Sequence, residues 1–176
     1  MNNLEYLDMV VHETVRMHPT VPILWRVCTK DYHTTVQGRP LSIFKDEEIH
    51  IPTYIIHHDP QYYPEPERFD PERFSKVSTK ITGLWCIHIP YNKMITQEAK
   101  ADRHVMGFLG FGQGPRNCIG LRFALIENKI ALTKLLPLYE FVACDETPRK
   151  LTLDPIDTIN INPIEKLKIK ARRIAH

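Results

Sequence analysis

The chain has 176 residues, and its 23 Lys and Arg residues nearly balance its 21 Asp and Glu residues. This balance argues against a basic nucleic-acid-binding protein and against an acidic tail, while the length suffices for one domain with a core. The four cysteines are far apart and form no Cys-x-x-Cys pair: Cys28, Cys86, Cys118 and Cys144. We therefore expect neither a structural zinc site nor a disulfide framework, and a reducing compartment fits this cysteine usage best.

The N-terminal half of the sequence begins as a helix and continues as short strands. No apolar run reaches the roughly 20 residues that span a bilayer, and the first residues enter a helical pattern instead of a signal peptide. Apolar residues at helical spacing predict a helix over about residues 4–17, which Pro19 ends. Between residues 26 and 53 the pattern predicts β-strands, which Gly38 and Pro40 interrupt.

The rest of the sequence predicts a coil, a long helix and a β-rich tail. Closely spaced prolines between residues 60 and 71 exclude a long helix or a central strand. We expect an ordered coil there, because its aromatic residues need burial: Tyr62, Tyr63, Phe69 and Phe74. Residues 121–136 predict a helix with an apolar stripe broad enough to need neighbours on several sides, and Pro137 ends it. Alternating hydropathy in the tail predicts hairpins, so the fold class is mainly α with small β-sheets (α+β).

The most informative stretch is FLGFGQGPRNCIGLRF, which contains Cys118. Its glycines at 110, 112, 114 and 120 allow positive φ and close approach of the backbone to a flat ligand. Cys118 directly precedes a helix, where free amides and the helix dipole favour a thiolate, and Arg116 adds a cation. Taken alone, a cysteine in such a turn is more often a packing residue, so the spacing of its neighbours decides.

Five residues around the cysteine follow the spacing F-x-x-G-x-R-x-C-x-G: Phe111, Gly114, Arg116, Cys118 and Gly120. This pattern resembles the haem-binding signature of the cytochrome P-450 family. The resemblance implies that Cys118 is the axial thiolate ligand of the iron of haem b (iron protoporphyrin IX). It also implies that Arg116 pairs with a haem propionate, that Phe111 packs near the thiolate, and that Gly112 and Gly120 belong to the cofactor-binding loop. A thiolate ligand pushes electron density to iron and favours O–O cleavage.

Two further elements strengthen the resemblance. Glu13 and Arg16 stand three residues apart on one helix face in ETVRMHP, which resembles the family's E-x-x-R element followed by proline. Alone, such a pair is more often a solvated surface bridge. The family adds an arginine from a P-E-R-F-type segment, which here is Arg73 in PERF. The resemblance implies a structural role for this trio, holding the coil near the haem.

Other residues receive roles only through the resemblance. Arg26 in LWRVC is expected beside the haem as a second propionate partner, with an ordinary strand arginine as the alternative. Segments 20–24 and 156–161 correspond to family segments that line the substrate pocket. His57 and His58 in YIIHHDP are assigned a structural role and not a metal-binding one.

One segment does not fit the family. Residues 77–97, VSTKITGLWCIHIPYNKMITQ, have no helix or strand periodicity, and removing them restores the family's spacing between PERF and the haem loop. Codons for 76–78 can read as a splice donor and the codon for Gln97 as an acceptor end. We favour a retained intron, and a genuine surface loop is the alternative. In either case we expect an excursion that lacks regular order.

The chain resembles roughly the C-terminal third of a full-length family member. Family members have a long central helix with an acidic residue and an A/G-x-x-T pattern, preceded by an N-terminal half and a membrane anchor. We find none of these before Asn2 in the given sequence. Residues 1–176 therefore resemble a partial cytochrome P-450 domain, and we assign no catalytic residue in it. We expect this chain alone to bind haem weakly and to lack monooxygenase activity.

The resemblance also implies what the parent enzyme does. It would insert one oxygen atom of O₂ into an apolar small molecule, with electrons from NADPH delivered by NADPH-cytochrome P-450 reductase docked near Arg122 and Lys129. The segments YLDMVVHETVRMHP and PERF resemble those of eukaryotic microsomal members, particularly insect-like ones. This implies the cytoplasmic face of the endoplasmic reticulum membrane, reached through the missing anchor, and no nucleic-acid partner. Two alternatives stay open: a P-450-type isomerase or dehydratase, and a non-catalytic product of a truncated gene.

Overall fold

Helix α1 (Glu5–Met17) provides the surface on which the core is assembled. The computed structural model describes residues 4–74, 106–149, 151–152 and 162–174. Acidic Glu5 and Asp8 lie in the first turn of α1 and Arg16 lies in the last, an arrangement that the helix dipole favours. The helix agrees with the segment predicted from apolar spacing.

Two small antiparallel sheets follow α1. Strand β1 (Leu24–Val27) pairs with β4 (Glu48–Ile51), and β2 (Tyr32–Val36) pairs with β3 (Arg39–Ile43). The turn between β2 and β3 has positive φ at both central residues, 50° at Gln37 and 77° at Gly38. Positive φ at both positions is typical of a type I′ hairpin, whose twist matches that of the strands it joins.

The segment after β4 contains a short helix that the sequence did not predict, α2 (Thr53–His57), followed by coil and a 3-10 turn (Pro71–Phe74). Within the coil Tyr63 is almost fully buried, whereas the side chain of Phe69 is 48% exposed. The expected burial of Phe69 is therefore wrong. The inward-facing groups near it are backbone carbonyls, which accept hydrogen bonds from a buried arginine, so the coil is anchored by polar contacts there.

Helix α3 (Leu121–Leu135) has the predicted position, but its apolar stripe is not covered by the described residues. Phe123 is 71% exposed and Ile126 is 54% exposed, and α3 has no buried residue. After α3, strand β5 (Tyr139–Ala143) pairs antiparallel with β6 (Ile169–Arg173). Among the described residues, the helices and three two-stranded sheets form an α+β architecture, as predicted.

The core lies between α1, α2, the coil and residues 107–109. Among the described residues it contains five buried polar or charged side chains, so its stability depends on satisfied hydrogen bonds as well as on apolar burial. The apolar set is Met9, Val11, Tyr63, Phe108 and Leu109, and the polar set is His12, Glu13, Arg16, Thr53 and His57.

Two predicted segments, 77–97 and the hairpin tip at 156–161, lie outside the described residues. Among the helices that the structure does describe, none has the length and apolar character needed to cross a bilayer.

Candidate functional site

The loop 107–120 carries Cys118 from the core to the start of α3. Hydrogen bonds within its backbone close it into a compact turn. The Cys118 N–H donates to the Phe111 carbonyl at 2.7 Å, and the Gly112 N–H donates to the Leu109 carbonyl at 2.9 Å. The Cys118 carbonyl in turn accepts from the Leu121 N–H at 3.3 Å. The backbone of Cys118 is therefore held from both sides, by the loop and by the helix.

Only two of the loop glycines have the positive φ that was expected. Gly112 and Gly114 have φ of 69° and 76°, which L-residues with a side chain rarely adopt. Gly120 instead caps α3, where its carbonyl accepts from the Ala124 N–H at 2.8 Å. Gly110 also lacks positive φ, and its importance is steric.

The Cys118 side chain is exposed, and so are apolar residues next to it. Ile119 is fully exposed and Phe123, one helical turn further on, is 71% exposed. Within the described ranges the Cys118 thiol makes no hydrogen bond, and no group of three or more His, Cys, Asp or Glu residues could hold a metal ion. A single free thiol beside exposed apolar side chains can bind a group that is both apolar and metal-containing.

The two arginines that the sequence singled out lie in different elements. Arg116 ends the 3-10 turn Gly114–Arg116 and is exposed at the same loop as Cys118. Arg26 lies on β1, is half-buried and donates through Nη1 to the Trp25 carbonyl at 2.7 Å. The structure thus places Arg116 with Cys118, whereas no described contact joins Arg26 to the loop.

A buried ion cluster lies beneath the loop. Glu13 and Arg16 are both inaccessible to solvent, and two hydrogen bonds of 2.7 and 2.9 Å join the guanidinium to the carboxylate. The Asp70 N–H also donates to Glu13 Oε1 at 2.9 Å. Arg73 Nε lies 3.5 Å from the same oxygen without forming a hydrogen bond, so this contact is an ion pair alone. The structure therefore brings Glu13, Arg16 and Arg73 together.

Arg16 also organises the backbone around it. Its Nη1 donates to the His57 carbonyl and its Nη2 donates to the Pro66 carbonyl, each at 2.8 Å. The guanidinium carbon lies 5.1 Å from the centroid of the Tyr63 ring, a cation–π distance. One buried side chain thus connects α1 with α2 and with the coil.

Tyr63 and His57, which contact this cluster, make three contacts to the Cys118 loop. The Tyr63 hydroxyl donates to the Gly107 carbonyl at 3.0 Å, and His57 Nε2 accepts from the Leu109 N–H at 2.8 Å. The His57 ring also stacks on Phe108, with centroids 5.2 Å apart and an interplanar angle of 9°. The start of the loop is consequently fixed to residues that contact the Glu13–Arg16 pair.

The hydrogen bonds of His57 define its tautomer. Since the Leu109 N–H can only donate, Nε2 is unprotonated, and Nδ1 carries the proton that it donates to the Arg16 carbonyl at 3.0 Å. Burial lowers the pKa of His57 to about 4, and the charges of Arg16 and His58 act in the same direction, while the hydrogen bond to the Arg16 carbonyl opposes them. The imidazole is therefore neutral near pH 7.

Gly110 lies against α1 with no room for a side chain. A Cβ at this position would overlap Cγ1 of Val15 and would approach Cζ of Phe108 to 3.0 Å. We expect Gly110→Ala to lower the free energy of unfolding by about 1–3 kcal/mol through overpacking, and Val15→Ala to recover part of this loss in the double variant. A urea denaturation cycle measures both values.

Gly120→Ala is the matched control for that experiment, because a Cβ at Gly120 meets only Cys118 Sγ, at an ordinary 3.8 Å. If Gly110→Ala were no more destabilising than Gly120→Ala, the close packing of the loop on α1 would be refuted.

The structure gives Lys129 a contact that the sequence did not predict. It was expected to face a redox partner together with Arg122, but it forms an ion pair with Asp8, and both side chains are only 17% exposed. This pair joins α3 to α1. Arg122 is exposed and stays available for the predicted docking.

Sequence reasoning missed the anchoring roles of Asp8, His57, Tyr63 and Gly110. His57 was recognised as structural, but its partners are 41 and 52 residues away in sequence. No local pattern identifies contacts at such separations. The only available signal was that HHDP lies between the charged segments ETVR and PERF.

The family model described as cytochrome P-450 matches residues 1–170. The chain is 40% identical to cytochrome P-450 3A16 of Mus musculus over 169 residues, which are 93% of this chain and 29% of that protein.

Two further relatives come from a mammal and an insect. Identity is 44% over 155 residues to cytochrome P-450 3A2 of Rattus norvegicus, covering 87% of this chain and 26% of that protein. It is 42% over 150 residues to cytochrome P-450 6k1 of Blattella germanica, covering 85% and 24%. The chain thus spans less than a third of the length of each of these relatives.

Proposed function

Because the chain belongs to the cytochrome P-450 family, whose cofactor is haem b, we propose that it is the haem-binding part of a monooxygenase. The observation that supports this most strongly is the exposed Cys118 thiol, fixed by its backbone at the start of α3. The reaction proposed for the whole enzyme inserts one oxygen atom of O₂ into an apolar small molecule.

The residues around Cys118 fit a haem group by their chemistry. The thiol offers one soft ligand to iron, and exposed Ile119 and Phe123 offer apolar contact to a macrocycle. Gly112, Gly120 and Phe111 form the turn around the cysteine, and exposed Arg116 can pair with a carboxylate such as a propionate. Arg26 is proposed as the second propionate partner from β1.

Each of these residues has a defined task in the proposed mechanism. When bound, the haem supplies the redox chemistry by which O₂ is activated. Cys118 would hold the iron as its thiolate, and the hydrogen bond from the Cys118 N–H to the Phe111 carbonyl holds the backbone of Cys118 in the turn. Arg116 and Arg26 would neutralise propionate charge. Glu13, Arg16 and Arg73 hold the coil beneath the loop without contacting the reacting atoms.

The finer properties are proposals for the whole enzyme. Electrons come from NADPH through NADPH-cytochrome P-450 reductase, for which exposed Arg122 is a docking candidate. The parent enzyme resides on the cytoplasmic face of the endoplasmic reticulum membrane. We propose that the 176-residue chain alone binds haem weakly and does not turn over substrate. The exposed apolar residues of α3 favour aggregation of the chain over a stable haem complex.

Reconstitution with haem tests the assignment of Cys118. The chain is expressed, loaded with haem, reduced and exposed to carbon monoxide. The expected result is a red-shifted Soret band, typical of iron held by a thiolate, that disappears in Cys118→Ala.

Cys144→Ala provides the matched control. Hydrogen bonds, chiefly from the Thr147 hydroxyl and secondly from the Glu146 backbone, lower the pKa of Cys144, so among the described residues Cys144 is a second thiol that could compete for iron. The control should keep the band. A red-shifted band that survives in Cys118→Ala would refute the assignment, and absence of any haem complex would favour a non-catalytic product.

A further inference from the structure

His57 occupies a position between the buried ion pair and the Cys118 loop. It ends α2, its side chain has no exposed area, and it contacts α1 and the loop at once. Nδ1 donates to the Arg16 carbonyl at 3.0 Å, while Nε2 accepts from the Leu109 N–H at 2.8 Å. Arg16 returns a hydrogen bond to the His57 carbonyl at 2.8 Å. His57 is therefore held firmly on the side of α1.

Two backbone hydrogen bonds connect the region of Leu109, the loop partner of His57, with Cys118. The Leu109 carbonyl accepts from the Gly112 N–H at 2.9 Å, and the adjacent Phe111 carbonyl accepts from the Cys118 N–H at 2.7 Å. Each link is a backbone hydrogen bond, so a displacement of Leu109 is transmitted to Cys118 through the turn. Side-chain packing adds a second restraint, since the His57 ring stacks on Phe108.

We propose that His57 is a positioning residue for the metal ligand: its neutral imidazole bridges the Arg16 carbonyl and the Leu109 N–H and so sets where Cys118 presents its sulfur. The proposal rests on the proposed function of Cys118 as the iron ligand. His57 acts through Leu109 and does not itself contact the metal or the substrate. Outer residues that orient a metal ligand typically change metal affinity when they are replaced.

Three substitutions separate the two hydrogen bonds of the ring. His57→Phe keeps an aromatic ring against Phe108 but removes both hydrogen bonds. His57→Asn places an amide where Nδ1 stands and can keep only the Arg16 partner. His57→Gln reaches the position of Nε2, so its amide oxygen can accept from the Leu109 N–H.

The measurements are haem affinity and the fraction of the reduced carbon monoxide complex with a red-shifted Soret band, both on the full chain. We expect about tenfold weaker haem binding and a smaller red-shifted fraction in His57→Phe and His57→Asn, and values near wild type in His57→Gln. Val11→Ala, which truncates another buried residue of α1, serves as the control for lost stability alone. If Val11→Ala lowered the red-shifted fraction as much as His57→Phe does, the proposal would be overturned.

A haem-free readout distinguishes this proposal from the proposed function. Amide hydrogen exchange at Leu109 and Cys118 is followed by NMR in the chain without haem. Faster exchange at both amides in His57→Phe and His57→Asn, but not in Val11→Ala or His57→Gln, supports the positioning role even if Cys118 binds no haem. Unchanged exchange at Cys118 in His57→Phe overturns it, whatever the spectra of the haem complex show.

Discussion

Replacing Arg16 with Met is expected to lower the free energy of unfolding by about 3–5 kcal/mol, a large part of the roughly 5–15 kcal/mol that stabilises an ordinary domain. Methionine fills much of the same volume, so the loss comes from charge and hydrogen bonding. The Glu13 carboxylate would stay fully buried without its bidentate partner, and the carbonyls of His57 and Pro66 would lose their donor. Urea denaturation followed by circular dichroism measures the change.

The chain contains a matched control at the same spacing. Arg68 and Glu65 are also three residues apart, with Nη1 and Oε2 at 3.2 Å, but both side chains are largely exposed. Such exposed pairs contribute about 0–1 kcal/mol, so Arg68→Met should change stability little. Equal losses in Arg16→Met and Arg68→Met would show that the Glu13–Arg16 pair does not stabilise the core.

Acidification is expected to destabilise the chain through His57. Its pKa falls from 6.5 to about 4 on folding, which corresponds to about 3 kcal/mol. Because the folded state disfavours the proton, this contribution is fully present above pH 6.5, falls as the pH is lowered towards about 4, and changes no further below it. Urea midpoints measured between pH 7 and pH 4 test the slope.

The comparison requires variants, because other groups titrate in the same range. Burial, with the charges of His58 and Arg16, also lowers the pKa of His18, which adds a slope of the same sign. His57→Gln should lose the His57 part of the slope, whereas His50→Gln, at an exposed strand position, should keep it. A curve for His57→Gln that runs parallel to wild type would refute the assignment.

The parts of the fold that were predictable depend on residues close in sequence. The bounds of α1 and α3 follow from apolar spacing and from Pro19 and Pro137. Strands were predicted between residues 26 and 53, and β1 to β4 lie there, but Pro40 does not interrupt them as expected, because it lies inside β3 opposite Thr35. The cysteine turn was recognisable for the same reason, since its motif lies within ten consecutive residues.

The parts that were not predictable depend on choices among distant partners. Helix α2 has only five residues, so packing and not propensity decides whether it forms. Phe69 and Tyr63 lie in the same coil and are both aromatic, yet only Tyr63 is buried, where its hydroxyl donates to the Gly107 carbonyl. Lys129 looks in the sequence like an ordinary surface cation. Only the packing of α3 near α1 shows that it forms an ion pair with Asp8.

The sequence separation between His57 and Leu109 has a consequence for insertions. Their hydrogen bond closes a segment of 52 residues, and 21 of these are residues 77–97, which the sequence pattern predicts to be an insertion. The entropy of closing a segment grows only with the logarithm of its length, and these residues lengthen it from 31 to 52, less than a doubling. The added closure cost is therefore below about 0.6 kcal/mol. Stability alone would exert little selection against acquiring such an insertion at this point of the chain.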